Sequence, residues 1–195
     1  MKDETTEDKI LEAANKIFTE KGYAVTRVRD IAEQAGVNLA LINYYYRSKE
    51  NLFSIVMRKK VQQLFGTIIP YMMDESTDLK EKISNILNEA IKVVSSDRNL
   101  PMFVFGELQK QDMGFATLIP GEMIKNSSLL KQIKEKCPDI NPLNFIMNFT
   151  SMIFFPYIIS PMMIKVGIVS DREVVTILNE RKQLIPKWIA KMLDM

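Results

Sequence analysis

Two short segments of helical periodicity, about 27–35 and about 39–45, meet at Ala35-Gly36-Val37-Asn38. In the first, Val28, Ile31, Ala32 and Ala35 recur at helical spacing and define an inward face. Gly36 stops that helix, and Asn38 can cap the next by accepting from a backbone N–H. A joint of three or four residues containing Gly, between two short amphipathic helices, is the signature of a helix-turn-helix. A third helix precedes the pair, over 6–21, with Ile10, Ala13, Ala14, Ile17 and Phe18 on one face and Gly22 as its stop.

The remainder carries the same period. Helices are expected at about 49–69, ending near Pro70, then at 78–96, 99–110, around Leu129–Ile133, at 142–166 and at 171–193. Thr5 or Thr6, Thr26 and Ser48 stand where N-caps belong. Nothing alternates at a period of two, so the expected fold is all-α with about nine helices. Residues 1–48 form the helix-turn-helix domain and 49–195 a second helical domain. The segment "GFATLIPGEM" stays ambiguous because Pro120 and Gly121 interrupt it.

Composition narrows the chemistry. There is no His and one Cys, Cys137, which leaves no metal motif, no disulfide framework and no His-based nucleophilic arrangement. The seven glycines stand singly, so no phosphate-cradling loop is expected. The acidic, polar N-terminus does not read as a leader, and a cytoplasmic protein is expected. Residues 149–164 lack charge, but that run is shorter than the roughly 20 residues of a membrane span. A buried or partner-facing helix is expected there instead.

Charge is uneven. Residues 21–60 hold eight Lys or Arg against three acids, whereas 61–195 balance. The surplus suits contact with a polyanion, and a solvated charged face would look the same. Inside it lies "NLALINYYYRSKE". Neighbouring side chains on a helix point about 100° apart, so the three tyrosines cannot share a face. Ile42 and Tyr46, four apart, belong inward with Val37. Leu39, Ala40 and Asn43 then lie opposite, with Tyr44 facing the same way and Tyr45 at the flank. In a major groove Leu39 could meet thymine methyls and Asn43 could pair with adenine, although Asn43 could also merely cap or be solvated. Thr26 and Arg27, opening a helix, could clamp a phosphate.

The N-terminal residues resemble the TetR family of bacterial transcriptional regulators. The match runs "T…IL.AA…F…KGY..T.V.DIAE.AGV" and then "NYYYRSKENLF", over about residues 6–53. The resemblance implies three N-terminal helices that bind a double-stranded DNA operator, and a C-terminal domain that senses a small molecule and dimerises. It further implies repression that is relieved when the ligand binds. Tyr45 and Lys49 fall where the family contacts phosphates, so the expected DNA set is Thr26, Arg27, Asn38, Leu39, Leu41, Asn43, Tyr44, Tyr45 and Lys49. Asn43 and Ala40 depart from the Tyr and Gly common at those positions in the family.

For the second domain the residues give a looser picture. Thirteen methionines, most of them late in the chain, suit an adaptable apolar cavity or an ordinary core. An apolar or amphipathic ligand is expected at Leu64, Ile68, Met102, Phe103, Phe145, Phe149 and Met152, with Glu107 orienting a polar group. A homodimer is expected through Phe155, Ile158, Met162, Val174, Leu178, Ile185 and Trp188. No cofactor or enzyme activity is expected. The alternatives are a carrier of the same fold that does not use DNA, and a helical enzyme using carboxylate or Lys chemistry.

Overall fold

Gly22, with φ 76°, ends the first helix, and the reason that helix starts is equally local. The computed structural model describes residues 5–109 and 115–193. In it α1 (Thr6–Lys21) begins with a reciprocal cap. The Thr5 hydroxyl oxygen accepts from the Asp8 amide at 3.1 Å, and the Asp8 carboxylate accepts from the Thr5 amide at 3.3 Å. Next come α2 (Val28–Ala35), α3 (Leu39–Tyr46) and α4 (Lys49–Phe65). Gly36 sits at φ 66°, a left-handed conformation that costs glycine nothing, and so turns α2 into α3.

The chain divides into two compact units. One holds residues 1–62 and 103–119, the other 63–102 and 120–195. The first unit therefore reaches past residue 48, because α4 contributes to its core. Leu52, Phe53, Val56 and Met57 are fully or almost fully buried, and Phe53 meets Phe18 edge-on with ring centroids 4.8 Å apart. The same unit takes most of α7 (Leu100–Gln109), whose Phe103 ring lies 6.3 Å from Phe53.

The second unit is built from α5 (Ile69–Met73), α6 (Leu79–Ser96), α8 (Gly121–Lys125), α9 (Ser128–Lys136), α10 (Pro142–Lys165) and α11 (Asp171–Met192). The expected helix at 49–69 is thus two helices. A break after Phe65 precedes α5, and Pro70 sits in the first turn of α5, where its missing N–H costs nothing. The ambiguous stretch resolves into a short 3₁₀ turn, Phe115–Leu118, and the five-residue α8. No strand occurs among the described residues.

Polar groups hold this second core in register. Lys82, with no exposed surface, donates to the Asp74 carbonyl and to the Thr77 hydroxyl, the latter at 3.1 Å. It thereby pins the α5–α6 loop. Gln132 of α9 donates to the Thr77 carbonyl at 2.9 Å from the other side. On α10, Pro156 has no N–H for the Met152 carbonyl four residues back. Arg181 of α11 supplies the missing donor at 2.8 Å and lies 5.2 Å from the Trp188 ring centroid. Desolvation lowers the guanidinium pKa of Arg181, as expected for a cation drawn against a helix backbone. α11 runs through Pro186 as a single helix.

Candidate nucleic-acid interface

Helix α3 is held by two side chains and shows the rest of itself to solvent. Ile42 is 1% and Tyr46 2% exposed, and the Tyr46 hydroxyl donates to the Glu7 carbonyl of α1 at 2.9 Å. Burial pushes the Tyr46 phenol up to about 12, with the charges of Glu7 and Asp8 adding to it, so it remains a neutral donor. Leu39, Leu41, Tyr44 and Tyr45 are all exposed, and Tyr44 reaches 78%. Ala40 and Asn43 are exposed beside them. The Tyr44 and Tyr45 rings pack edge to face, centroids 5.1 Å apart, which fixes each against the other.

The two ends of α3 are also fixed. Asn38 caps its start, its side-chain oxygen accepting from the Ala40 amide at 2.9 Å. At its end Arg47 adopts φ 65° and ψ −45°, and the Ser48 amide donates to the Tyr46 carbonyl at 2.7 Å. That is a γ-turn of the strained, positive-φ kind, and Arg47 is the one non-glycine with positive φ among the described residues. Asn51 adds a second donor to the same carbonyl at 3.0 Å. The outcome is a near-immediate start of α4, with Lys49 in its first turn.

Lys49 is positioned by Tyr23. Its ammonium lies 4.2 Å from the Tyr23 ring centroid. The Tyr23 hydroxyl donates to the Glu50 carboxylate at 2.7 Å. Desolvation and that hydrogen bond push the Tyr23 phenol up to about 12, and the same bond holds Glu50 below the usual carboxylate range. Nothing in the spacing of "KGY" announced this pairing, because Tyr23 and Glu50 lie 27 residues apart.

One expected contact needs correction. The Thr26 side chain does not cap α2 and does not face outward. It is 2% exposed, and its hydroxyl donates to the Gly22 carbonyl at 2.7 Å. Arg27 takes the N-cap position of α2 and is exposed. Thr26 therefore braces the α1–α2 turn.

The second unit contains a partly open apolar cavity of about 130 Å³. Its walls include Phe65, Ile68, Met72, Ile86, Phe149 and Phe154, with Thr150 as the one polar wall residue. Of the expected ligand residues, Ile68 and Phe149 line it. Leu64 and Phe145 are fully buried but are not among its walls, and Met152 borders a separate crevice beside Arg181. Phe103 and Glu107, both buried, belong to the other unit, and Met102 is exposed. For Phe103 and Glu107 the reason is that α7 is strongly apolar, and an apolar sequence does not say which core it enters.

The expected dimer residues split as well. Val174, Leu178 and Ile185 are buried in the protomer, so they are core positions that hold α11 onto its own unit. Phe155, Met162 and Trp188 are exposed by 53%, 52% and 39%, and Ile158 is half-buried. Leu143 and Met147, not foreseen as exposed, add to the exposed apolar residues of α10 at 57% and 67%. By length and composition alone α10 could cross a membrane. One of its faces nevertheless carries Phe145, Phe149, Ile153, Phe154 and Tyr157 into the core of the second unit.

Comparison with known proteins agrees with this geometry. Residues 10–56 match the family model described as bacterial regulatory proteins, tetR family. The chain is 26% identical over 161 residues to the "Probable HTH-type transcriptional regulator YttP" of Bacillus subtilis (strain 168), covering 79% of this chain and 78% of that protein. It is 27% identical over 104 residues to a "Fatty acid metabolism regulator protein" of the same organism, spanning about half of each (53%). Among solved structures, the transcriptional regulator FadR from Bacillus subtilis, in complex with stearoyl-CoA, superposes with a TM-score of 0.59. It is 21% identical, with 90% of this chain and 95% of that one covered. Residues 10–56 thus match the tetR-family model, in a chain whose fold is that of solved TetR-family regulators.

Proposed function

We propose that this chain is a transcriptional regulator that binds an operator through α3 and leaves it when a small apolar or amphipathic molecule enters the second unit. One observation carries the reading. α3 exposes Leu39, Leu41, Asn43, Tyr44 and Tyr45 together, from a helix locked by Ile42 and Tyr46. Exposed leucines and tyrosines on a rigid helix are costly in water and useful in a major groove. Arg27 and Lys49, with Tyr45, supply phosphate contacts, and phosphate contacts set register without reading sequence. Asn43 is the base reader, and Arg47 lies at the groove edge.

The operator complex is a homodimer, with Phe155, Met162 and Trp188 in the contact. Two recognition helices then address half-sites about 34–36 Å apart. The ligand enters at the cavity bounded by Ile68 and Phe149. Ordinary ligand pockets run to about 300–1,000 Å³, so a cavity of about 130 Å³ must widen to admit a long molecule. α4 is the connecting element. It starts at Lys49, and its last residue, Phe65, is a cavity wall. Its 17 residues span about 26 Å. Coupling of this kind is typically about 1–3 kcal/mol and is reciprocal, so DNA weakens the ligand by the factor by which the ligand weakens DNA. The relatives named for fatty acid metabolism, one of them solved with stearoyl-CoA, support a long-chain ligand class. The cytoplasm is the compartment this reading requires.

The test is the salt dependence of binding to DNA from the chain's own promoter region. Each neutralised phosphate contributes about −0.9 to the slope of log K against log salt. Lys49→Ala should weaken all sequences alike and flatten the slope by about one unit. An unchanged slope removes Lys49 from the interface, and an absence of any DNA complex leaves the carrier reading.

A further inference from the structure

On the second unit a lysine-lined groove lies back to back with the apolar cavity, and α8 and α9 form the wall between them. Ile124 of α8 lines the cavity, while the next residue, Lys125, lines the groove. On α9 the same split recurs, with Leu129 on the cavity and Leu130 on the groove. The groove is open and offers about 620 Å³, several times the room of the cavity. Lys125, Lys131 and Lys134 border it, against one acid, Asp139. None of the three lysines makes an ion pair with a described residue. The wall is thin, since α8 is a five-residue helix joined to α9 through Asn126 and Ser127 alone.

These two spaces are complementary in chemistry. The cavity has one polar residue, Thr150, and cannot take a charged group without a desolvation penalty. At about 130 Å³ it is close to the size of the engineered cavity that binds benzene, so it holds a short length of alkyl chain and no headgroup. The groove has the positive charge and the room that the cavity lacks. We propose that the second unit binds a single-chain amphiphile with an anionic head, the tail in the cavity and the head at Lys125, Lys131 and Lys134, with α8 displaced to let the chain pass. This rests on the reading of the chain as ligand-responsive, and adds to it the sign of the headgroup and the residues that meet it.

Decyl phosphate and 1-decanol, titrated calorimetrically into the full chain below their aggregation concentrations, share a tail and differ in the head. Decyl phosphate should bind more tightly, and its advantage should shrink as salt rises. Lys131→Ala combined with Lys134→Ala should weaken decyl phosphate by about tenfold, since two charge-assisted contacts are lost, and leave decanol within about twofold. Lys131→Arg combined with Lys134→Arg should restore the preference. An unchanged thermal melt shows that the alanine variant is folded. Equal affinities for the two probes, or equal losses in the variant, overturn the headgroup site while leaving the cavity reading intact. If neither probe binds, both fall. If inorganic pyrophosphate binds as tightly as decyl phosphate, the groove is a site for free anions and the amphiphile is excluded.

Discussion

Both units expose large apolar side chains from a helix, but the company those side chains keep differs. α3 exposes Leu39, Leu41, Asn43, Tyr44 and Tyr45, in a stretch of chain flanked by the cations Arg27, Arg47 and Lys49. α10 exposes Leu143, Met147, Phe155 and Met162, with Asn144, Asn148 and Ser151 exposed among them and no cation until Lys165, and α11 adds Ile177, Leu184 and Trp188. Apolar groups mixed with cations and an amide fit a surface that is itself charged and patterned with donors and acceptors. Apolar groups interspersed only with uncharged polar ones fit another protein surface. Under the proposed function, the contrast assigns the first face to DNA and the second to another copy of the chain.

The sharpest break in that contrast lies within the tyrosine triplet. Tyr46→Ala should cost about 3–5 kcal/mol in denaturant unfolding, the scale of a large aromatic removed from a core. Tyr44→Ala should move stability by no more than about 0.5 kcal/mol, and its effect should appear in DNA affinity. Comparable stability losses in the two variants would mean that α3 is not a one-sided helix. The exposed apolar residues of α10 come next. Phe155→Glu should weaken self-association by about 30-fold or more, the scale of a 2 kcal/mol interface residue, as read by sedimentation equilibrium. A protein that stays dimeric at unchanged concentration places the interface elsewhere. Asn43→Ala should relax base preference at one position per half-site by about 1–3 kcal/mol while leaving non-specific affinity nearly intact. Coincident specificity profiles would make Asn43 a solvated residue. Smallest is Arg47→Gly, which should stabilise the first unit by a few tenths to about 1 kcal/mol, because glycine adopts φ 65° without strain. A destabilised variant would show that the Arg47 side chain contributes more than its backbone strain costs.

Residues 5–50 were largely legible because their signals are local. A cap at Thr5, a glycine stop at Gly22, the Gly36–Asn38 joint and the four-residue spacing of Ile42 and Tyr46 all act within a turn of chain, and each is found in place. What the local signals missed was set at a distance. Thr26 looks like a cap, but its hydroxyl is taken by Gly22. Lys49 looks like a free surface cation, but Tyr23 holds it. The second unit was legible only as a set of helices. Its longest helix, α10, is apolar on more than one face, and period alone does not choose the partner of each face. Thus Val174, Leu178 and Ile185 appeared equivalent to Phe155 and Met162 in sequence, yet they are buried within the protomer. Phe103 and Glu107 went to the other unit for the same reason. The Lys125–Lys134 groove escaped notice because it joins an interrupted segment to a helix beyond it.

The bond from Arg181 to the Met152 carbonyl makes positions 156 and 181 a genetic pair. With Pro156 present, a change at Arg181 strands a carbonyl inside a long apolar helix. With an ordinary residue at 156, the helix amide returns to that carbonyl, and Arg181 becomes free to change. Substitutions at the two sites are therefore order-dependent. The route through 156 first is permissive, the route through 181 first passes a less stable intermediate, and the double mutant should be milder than the sum of its parts.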